Sequence, residues 1–259
     1  MRTALIEDWQ GFLRSLATYT RIPLNIDWDS PQKHTPSVCF LPFVGVIVAL
    51  LSAWPLLIGH WSAGLQALLM MLSAVLVTGA FHEDGLMDAC DGLVGGWTPE
   101  QRLQIMKDSR VGSYGVLAGI FSFALKWWLL SQWLTEALWD GSQWSILAGW
   151  IVMHSVARWL PLLLMQSLSY VSQGQSKAQQ MIQRLNLRAG LWWLASLVLV
   201  WLLVGSATVL ELLVALILLG LVIGCYLKRR IGGYNGDTLG ASEQLAELLV
   251  LFVLLGWSA

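Results

Sequence analysis

Long apolar stretches alternate with short polar ones along almost the whole chain. A helix that crosses a membrane needs about 17–25 mostly apolar residues. Seven stretches approach or reach that length, at 38–59, 63–81, 112–139, 144–168, 190–206, 208–227 and 241–257. The fifth and sixth are separated only at Ser206 and Ala207, so they could instead form one helical hairpin. The pattern predicts an all-α, polytopic integral membrane protein with about seven transmembrane helices in a single membrane domain, 1–259.

The N-terminal segment, 1–37, has a different pattern. Apolar residues recur at helical spacing at Phe12, Leu13, Leu16 and Ala17, which predicts an amphipathic helix on the membrane surface. Two acidic residues interrupt the early apolar run and no small-residue cleavage site follows, so the segment does not read as a secretory signal.

Composition agrees with the membrane prediction. The 259 residues are 56% hydrophobic and only 12% charged, with a mean hydropathy of +0.63, whereas a soluble domain is about 25% charged. The net charge of −1 argues against nucleic acid as a partner, because a binder needs a basic surface to displace phosphate counterions. The three cysteines have no metal-ligand spacing and do not suggest a disulfide framework.

The basic residues predict the orientation. Nearly all of the 15 Lys and Arg residues lie in the N-terminal segment or in the loops after spans two, four and six, and the intervening short loops hold none. The positive-inside rule then places the N-terminus and the three basic loops in the cytoplasm, and the C-terminus outside. For a bacterial protein this means a multi-pass inner membrane protein whose polar chemistry faces the cytoplasm.

Three carboxylates follow span two at helical spacing. Asp84, Asp88 and Asp91 are separated by four and three residues, so a helix would place them on one face. Carboxylates so close repel one another, and a divalent cation with oxygen ligands removes the repulsion. Gly85 and Gly92 suggest that a ligand approaches the backbone here. The alternative is a solvated acidic helix end.

The same segment, 82–111, contains a second group of polar residues. His82 precedes the Asp face, and Lys107, Asp108, Ser109 and Arg110 precede a Gly-rich turn that opens span three. Basic donors beside a helix N-terminus are a pattern that binds phosphate. We therefore predict that 82–111 is a cytoplasmic loop that contributes to catalysis.

The last polar loop, 228–240, is rich in glycine. Gly232, Gly233 and Gly236 predict a flexible turn, and Asp237 and Thr238 open span seven. Because this loop and the Asp face are predicted on the same side of the membrane, and each is incomplete alone, we expect them to form one site.

Several ionisable residues fall inside predicted spans, and three of them are candidates for the site. Glu243 and Glu247 lie on the first turns of span seven, and Arg158 lies in span four. Ionisable groups within a membrane are costly, so they indicate function or a charged partner. For Arg158 we expect a carboxylate or a phosphate.

The motifs of these polar segments closely resemble those of the cobalamin synthase family, the adenosylcobinamide-GDP ribazoletransferases. The resemblance covers nearly the whole chain and is carried by HEDGLMDACDGLVGG, MKDSRVGSYGV and GGYNGDTLGASEQLAE, with YTRIPL and LPFVGVIVAL nearer the N-terminus. One departure is Glu83, where the family pattern usually has an apolar residue. The role of Glu83 is therefore left unassigned.

The resemblance implies an Mg²⁺-dependent transferase that joins adenosylcobinamide-GDP to α-ribazole, or to its 5′-phosphate, and releases GMP. The product would be adenosylcobalamin or its 5′-phosphate. Homo-oligomers or complexes with other cobalamin-assembly enzymes are possible partners, beside the membrane lipid. The residues implied for metal are Asp84, Asp88, Asp91 and Asp237; for catalysis, the same four with Glu243; for substrate, His82, Lys107, Asp108, Ser109, Arg110, Arg158, Gly232, Gly233, Gly236 and Thr238.

Two other functions fit parts of the pattern. A CDP-alcohol phosphotransferase uses a similar Asp helix, but its Ala-Arg after the first Asp-Gly pair and its wider Asp spacing are absent here. An ion-coupled transporter would also hold intramembrane Asp, Glu and Arg. Transporters usually place the site at the midplane, often between inverted repeats, and the chain shows no internal repeat.

Overall fold

The computed structural model describes residues 2–28, 35–58, 61–139, 143–171 and 186–256. In these ranges the chain is helical, and the one β-type pairing is an isolated bridge between Tyr170 and Tyr234. Short 3₁₀ turns occur at Ser37–Phe40 and Trp54–Leu56. The helices are α1 (Arg2–Tyr19), α2 (Leu41–Ser52), α3 (Ala63–Thr78), α4 (Phe81–Gly95), α5 (Pro99–Met106), α6 (Ser113–Trp139), α7 (Gln143–Ala157), α8 (Trp159–Ser167), α9 (Leu187–Ile231) and α10 (Gly236–Gly256).

The prediction of an all-α polytopic membrane protein is confirmed. Four helical stretches of the described chain are long and apolar enough to cross a membrane, at Ser113–Glu136, Trp144–Ser167, Leu187–Ile231 and Gly236–Gly256. The pair α3 and α4 would make a fifth if it is one bent span. The count of seven, the orientation and the position of the termini stay predictions.

The first predicted span, 38–59, is not one continuous helix. The α-helix within it, α2, has only 12 residues, or about 18 Å at 1.5 Å per residue, against a hydrocarbon core of about 30 Å. Pro55 lies in the 3₁₀ turn that follows, and proline cannot donate the backbone hydrogen bond that would extend an α-helix through it. Apolar residues continue past this stop, so hydropathy alone extended the span too far.

The Asp residues lie on a helix that turns sharply away from α3. The two helices are bent by 87° at Gly79 and Ala80, which have φ values of 68° and 59°. A side chain on Gly79 would collide with Arg21, whose backbone N–H donates to the Val77 carbonyl. Most of the predicted polar loop 82–111 is helical, in α4 and α5, and its place in the cytoplasm stays a prediction.

Helix α9 doubles back on itself. Its 45 residues would measure about 68 Å, more than twice the hydrocarbon thickness. It is broken at Gly205, whose φ of 79° and ψ of 174° are accessible essentially only to glycine. Residues from both sides of the break, such as Leu197 and Leu213, line one groove. This geometry favours the predicted helical hairpin at 190–227.

The N-terminal helix predicted from the apolar spacing is present as α1, which packs against the turn Ser37–Phe40. It is fastened to the start of α9 by an ion pair between Asp8 and Arg188. Burial raises the pKa of Asp8, but hydrogen bonds from Arg188 and Thr35 outweigh burial, so the pKa is lowered overall. The basic residues Lys33, Lys177 and Arg184 lie outside the described residues.

Candidate active site

Helices α4 and α10 pack closely against each other, and small residues allow it. A Cβ atom added to Gly85 of α4 would lie 3.0 Å from the Asp237 carbonyl oxygen and 3.3 Å from the Gly240 Cα atom of α10. The predicted meeting of the last polar loop and the Asp helix is therefore present in the fold, although about 150 residues separate them in sequence.

This packing brings three carboxylates into one group. Asp84 and Asp88 lie on one face of α4, and Gly85 between them contacts the backbone of Asp237 at the start of α10. Lys107, at the end of α5, is the cation whose charge also acts on Asp237. Asp84 is exposed and the other two carboxylates are half-buried, so the group opens to the outside of the protein. We call Asp84, Asp88 and Asp237 the carboxylate group.

Asp91, the third residue of the predicted metal face, has a different set of contacts. Its two carboxylate oxygens accept hydrogen bonds from the backbone N–H groups of Gly112, at 2.7 Å, and Gly115, at 2.8 Å. Asp91 therefore caps the N-terminus of α6, where a negative charge is also favoured by the helix dipole. Its role as a metal ligand stays a prediction.

The glycines around the Asp helix make room for protein, not for a ligand. A Cβ atom on Gly92 would lie 2.5 Å from the Met106 side chain and 2.7 Å from the Arg102 carbonyl oxygen of α5. One on Gly112 or Gly115 would lie 2.4 Å from an Asp91 oxygen. The expectation of a ligand close to the backbone at Gly85 and Gly92 is therefore wrong, since other helices occupy that space.

Asn235, which the sequence analysis did not single out, holds the start of α10. Its backbone N–H donates to the Thr238 hydroxyl at 2.9 Å, and its side-chain carbonyl accepts from the Thr238 N–H at 2.9 Å. This reciprocal pattern is a capping box. The Asn235 amide also donates to the Asp237 carboxylate at 3.0 Å. Thr238, predicted to bind substrate, is buried and serves this cap; the signal missed was Asn three residues before Thr at a helix start.

The predicted phosphate-binding residues after α5 are exposed. Arg110 donates to Asp108 from Nε at 3.0 Å and from Nη2 at 2.6 Å. These hydrogen bonds lower the pKa of Asp108 to about 2. Ser109, between them, is also exposed. The pair leaves the remaining guanidinium surface open, and the binding roles of these residues stay predictions.

The three predicted glycines of the last loop differ in environment. Gly232 ends α9 with φ 81°, a left-handed conformation that favours glycine. A Cβ atom on Gly233 would lie 2.0 Å from the Ser169 carbonyl oxygen, so this glycine serves the pairing of 169–171 with Tyr234. Gly236 has open space around it and borders a cavity.

Glu243, Glu247 and Arg158 belong to a buried ionic cluster that also contains Lys126 and His154. Arg158 Nη1 lies 3.0 Å from Glu243 Oε1 and 3.9 Å from Glu247 Oε1. His154 Nδ1 lies 2.8 Å from Glu247 Oε1, and Lys126 Nζ pairs with Glu247. Two cations thus balance two carboxylates. The sequence analysis expected a carboxylate or a phosphate as the partner of Arg158, and the structure shows the carboxylate of Glu243.

The cluster reaches α4 through two further contacts. His82 Nδ1 lies 3.5 Å from Glu243 Oε1. The Gln244 amide donates to Glu243 at 3.0 Å and to Glu83 at 3.3 Å. Glu83, unassigned by the sequence, is therefore a peripheral contact of the cluster. Glu243 itself has no exposed surface and lies six residues beyond Asp237, about 9 Å along α10; its role as a proton acceptor stays a prediction.

The carboxylate group suits a hard divalent cation. Asp84 and Asp88 have no ion-pair partner among the described residues, so their negative charge is left uncompensated. No three His, Cys, Asp or Glu side chains of the described chain are arranged as a ready-made metal site. Proteins usually hold Mg²⁺ with only one or two carboxylates, and waters and substrate phosphates complete its coordination shell.

A bundle of apolar helices with a buried ionic cluster and an open carboxylate group defines a multi-pass membrane protein with a built polar site. The family model described as cobalamin-5-phosphate synthase matches residues 11–255. The chain belongs to this family, and the family resemblance inferred from the sequence is confirmed.

Curated relatives that match nearly the whole chain agree with this family assignment. A protein of Shewanella baltica named adenosylcobinamide-GDP ribazoletransferase is 44% identical over 253 residues, which cover 94% of this chain and 93% of the relative. Proteins of the same name from Shewanella oneidensis and Shewanella putrefaciens are each 41% identical, with the same coverage. No solved structure matches the chain. These comparisons do not support a CDP-alcohol phosphotransferase or a transporter.

Proposed function

We propose that this protein joins adenosylcobinamide-GDP to α-ribazole, or to α-ribazole 5′-phosphate, and releases GMP. The product is adenosylcobalamin or its 5′-phosphate. The observation that carries the proposal is the contact of α4, at Gly85 between Asp84 and Asp88, with Asp237 of α10 in a chain of this family. The names of the relatives supply the substrates.

The reaction is a displacement at phosphorus. A hydroxyl oxygen of the ribazole forms a bond to the cobinamide-linked phosphorus, the bond from that phosphorus to the bridging oxygen breaks, and the oxygen leaves with GMP. A ribazole 5′-phosphate keeps its phosphate in the product, so the attacking oxygen is a ring hydroxyl. Catalysis of this kind rests on positioning and charge stabilisation.

Each residue of the site has a role in this scheme. One or two of Asp84, Asp88 and Asp237 would hold Mg²⁺ together with waters, and the ion would supply charge neutralisation on the pyrophosphate. Lys107 adds positive charge beside Asp237, and a carboxylate not engaged with metal takes the hydroxyl proton. Asp91 fixes α6 against α4 and so keeps the two carboxylates of α4 in place.

We also propose that the site faces the cytoplasm of a bacterial inner membrane. Two observations support this orientation. The basic residues are grouped on one side of the predicted spans, and the exposed carboxylate group lies beside the end of α5, where Lys107 is located. Nucleotide substrates occur in that compartment.

The test is GMP release by the purified protein in lipid, with adenosylcobinamide-GDP, α-ribazole and Mg²⁺. Asp84→Asn, Asp88→Asn and Asp237→Asn are each expected to abolish turnover, and at least one to weaken the apparent Mg²⁺ affinity. Glu100→Gln on α5, an exposed acidic residue outside the site, is the matched control and should keep full activity. Normal rates in all three Asp variants would refute the assignment.

A further inference from the structure

A small cavity lies among α1, α4, α8 and α10, and Gly236, the residue before Asp237, is part of its lining. Its volume is about 120 Å³, about four times the 30 Å³ of one water in the liquid and well below the 300–1,000 Å³ of a pocket for a whole ligand. It therefore has room for one part of a ligand, such as a single bicyclic ring.

Five parts of the chain enclose this cavity. The end of α1 contributes Tyr19, the turn before α2 contributes Val38, and α8 contributes Met165. Phe81 and His82 come from the start of α4, and Gly236 and Gly240 from the start of α10. The surroundings are mainly apolar and aromatic, which favours a flat, weakly polar ring.

One polar group in the wall lacks a partner. Arg158 lines the cavity, is only 1% exposed, and uses Nη1 for Glu243 and the His154 carbonyl. Its Nε–H has no hydrogen-bond partner within the described part of the chain. An unpaired buried donor costs free energy, so an acceptor atom on the occupant would be stabilising.

The cavity adjoins the carboxylate group through the start of α10. Gly236 lines the cavity and is the residue before Asp237, so their Cα atoms are about 3.8 Å apart. A sugar attached to a ring bound here would extend past Gly236 toward Asp237.

We infer that this cavity binds the dimethylbenzimidazole base of ribazole, with its free ring nitrogen accepting a hydrogen bond from Arg158 Nε–H. The inference rests on the proposed function and names the substrate part that the cavity recognises. The base is apolar apart from that one acceptor nitrogen, as the lining requires. Guanine, the other base in the reaction, carries several donors for which this apolar lining is poorly suited.

The first experiment fills the cavity. Thr18→Phe adds a ring at the cavity wall, and Gln10→Phe adds the same ring to an exposed position of the same helix. We expect Thr18→Phe to raise KM for α-ribazole about tenfold or more, with KM for adenosylcobinamide-GDP unchanged, and Gln10→Phe to change neither. An unchanged KM for α-ribazole in Thr18→Phe would overturn the inference.

The second experiment changes the ligand, so it needs no altered protein. The indole analogue of α-ribazole has the same shape but lacks the acceptor nitrogen. Wild-type kcat/KM should fall about tenfold or more for the analogue, since the hydrogen bond from a charged donor is lost. Arg158→Lys keeps the charge but not the Nε–H, so its kcat/KM should be equal for the two ligands. Equal kcat/KM in the wild type would overturn the hydrogen bond.

A third measurement uses the free base. 5,6-Dimethylbenzimidazole should inhibit competitively against α-ribazole and not against adenosylcobinamide-GDP, and the reverse pattern would assign the cavity to the other substrate. If the wild type releases no GMP at all, the proposed function fails. If GMP is released but these three results are absent, only the cavity assignment fails.

Discussion

Breaking the Lys126–Glu247 pair should destabilise the protein strongly. Both side chains are nearly inaccessible, at 6% and 2% exposure, and they lie on helices that are long and apolar enough to cross a membrane. Two unit charges about 4 Å apart attract by about 4 kcal/mol at an effective dielectric constant of 20. Lys126→Met leaves Glu247 with less compensation, and removal of one partner of a buried pair costs about 3–5 kcal/mol.

A double-mutant cycle separates this pair from the rest of the cluster. Lys126→Met and Glu247→Leu should each lower the free energy of unfolding, and the double variant should lose less than the sum, by about 2–3 kcal/mol. Glu247 also contacts His154, so Glu247→Leu alone should cost at least as much as Lys126→Met. Arg229→Met, an exposed cation outside the cluster, is the control and should change little.

The assay is a denaturant titration in detergent micelles, followed by the fluorescence of the 16 tryptophans. Equal slopes of the transition would show that the variants differ in stability and not in the surface exposed on unfolding. A coupling free energy below about 0.5 kcal/mol, the range of additive sites, would refute the claim that these two charges stabilise each other.

Three further predictions concern the frame of the site and the topology. Gly115→Ala should lower the free energy of unfolding by about 1–3 kcal/mol, because its methyl group would lie 2.4 Å from an Asp91 oxygen and displace the cap. The control is Gly119→Ala on the same helix, which meets only the flexible Met87 side chain at 3.3 Å. Thermal unfolding of this control should resemble that of the wild type. Asn235→Ala should lower unfolding free energy by about 0.5–2 kcal/mol, and an unchanged transition would contradict the capping role. Reporters inserted after Trp97 should read cytoplasmic and one fused after Ala259 should read external; the opposite reading for Ala259 would mean that the span count is wrong.

Local spacing predicted the helices and the Asp face well. The spacing of Asp84, Asp88 and Asp91 placed them on one helix, as observed, because helical periodicity is a property of neighbouring residues. The same is true of the apolar stretch that became α6. The interruption after Ser52 was missed, since the residues beyond it are equally apolar and only backbone chemistry ends the helix.

Sequence spacing could not predict the contacts between helices that are distant along the chain. Asp91 lies on the predicted face, yet its oxygens are taken by the amides of Gly112 and Gly115, which depends on how α6 docks on α4. Likewise, Lys126 and its partner Glu247 are 121 residues apart, so sequence spacing could not pair them. The glycines beside the Asp residues were interpreted as points where a ligand approaches, and sequence alone could not show that α10 and α5 pack there instead.

The long separation of the charges in the cluster has a consequence for biogenesis. Lys126 and Arg158 emerge from the ribosome well before the helix that carries both of their carboxylate partners, and the gap of 121 residues corresponds to about 6–24 s of synthesis at about 5–20 residues per second. During that interval Lys126, and for a shorter time Arg158, lack their ion-pair partners, so we expect their helices to stay in a hydrated or chaperoned environment. Insertion of the last helix then completes the bundle. A chain that stops before Gly236 would retain both cations and lose both carboxylates. We expect the cell to degrade such a chain as an unassembled intermediate.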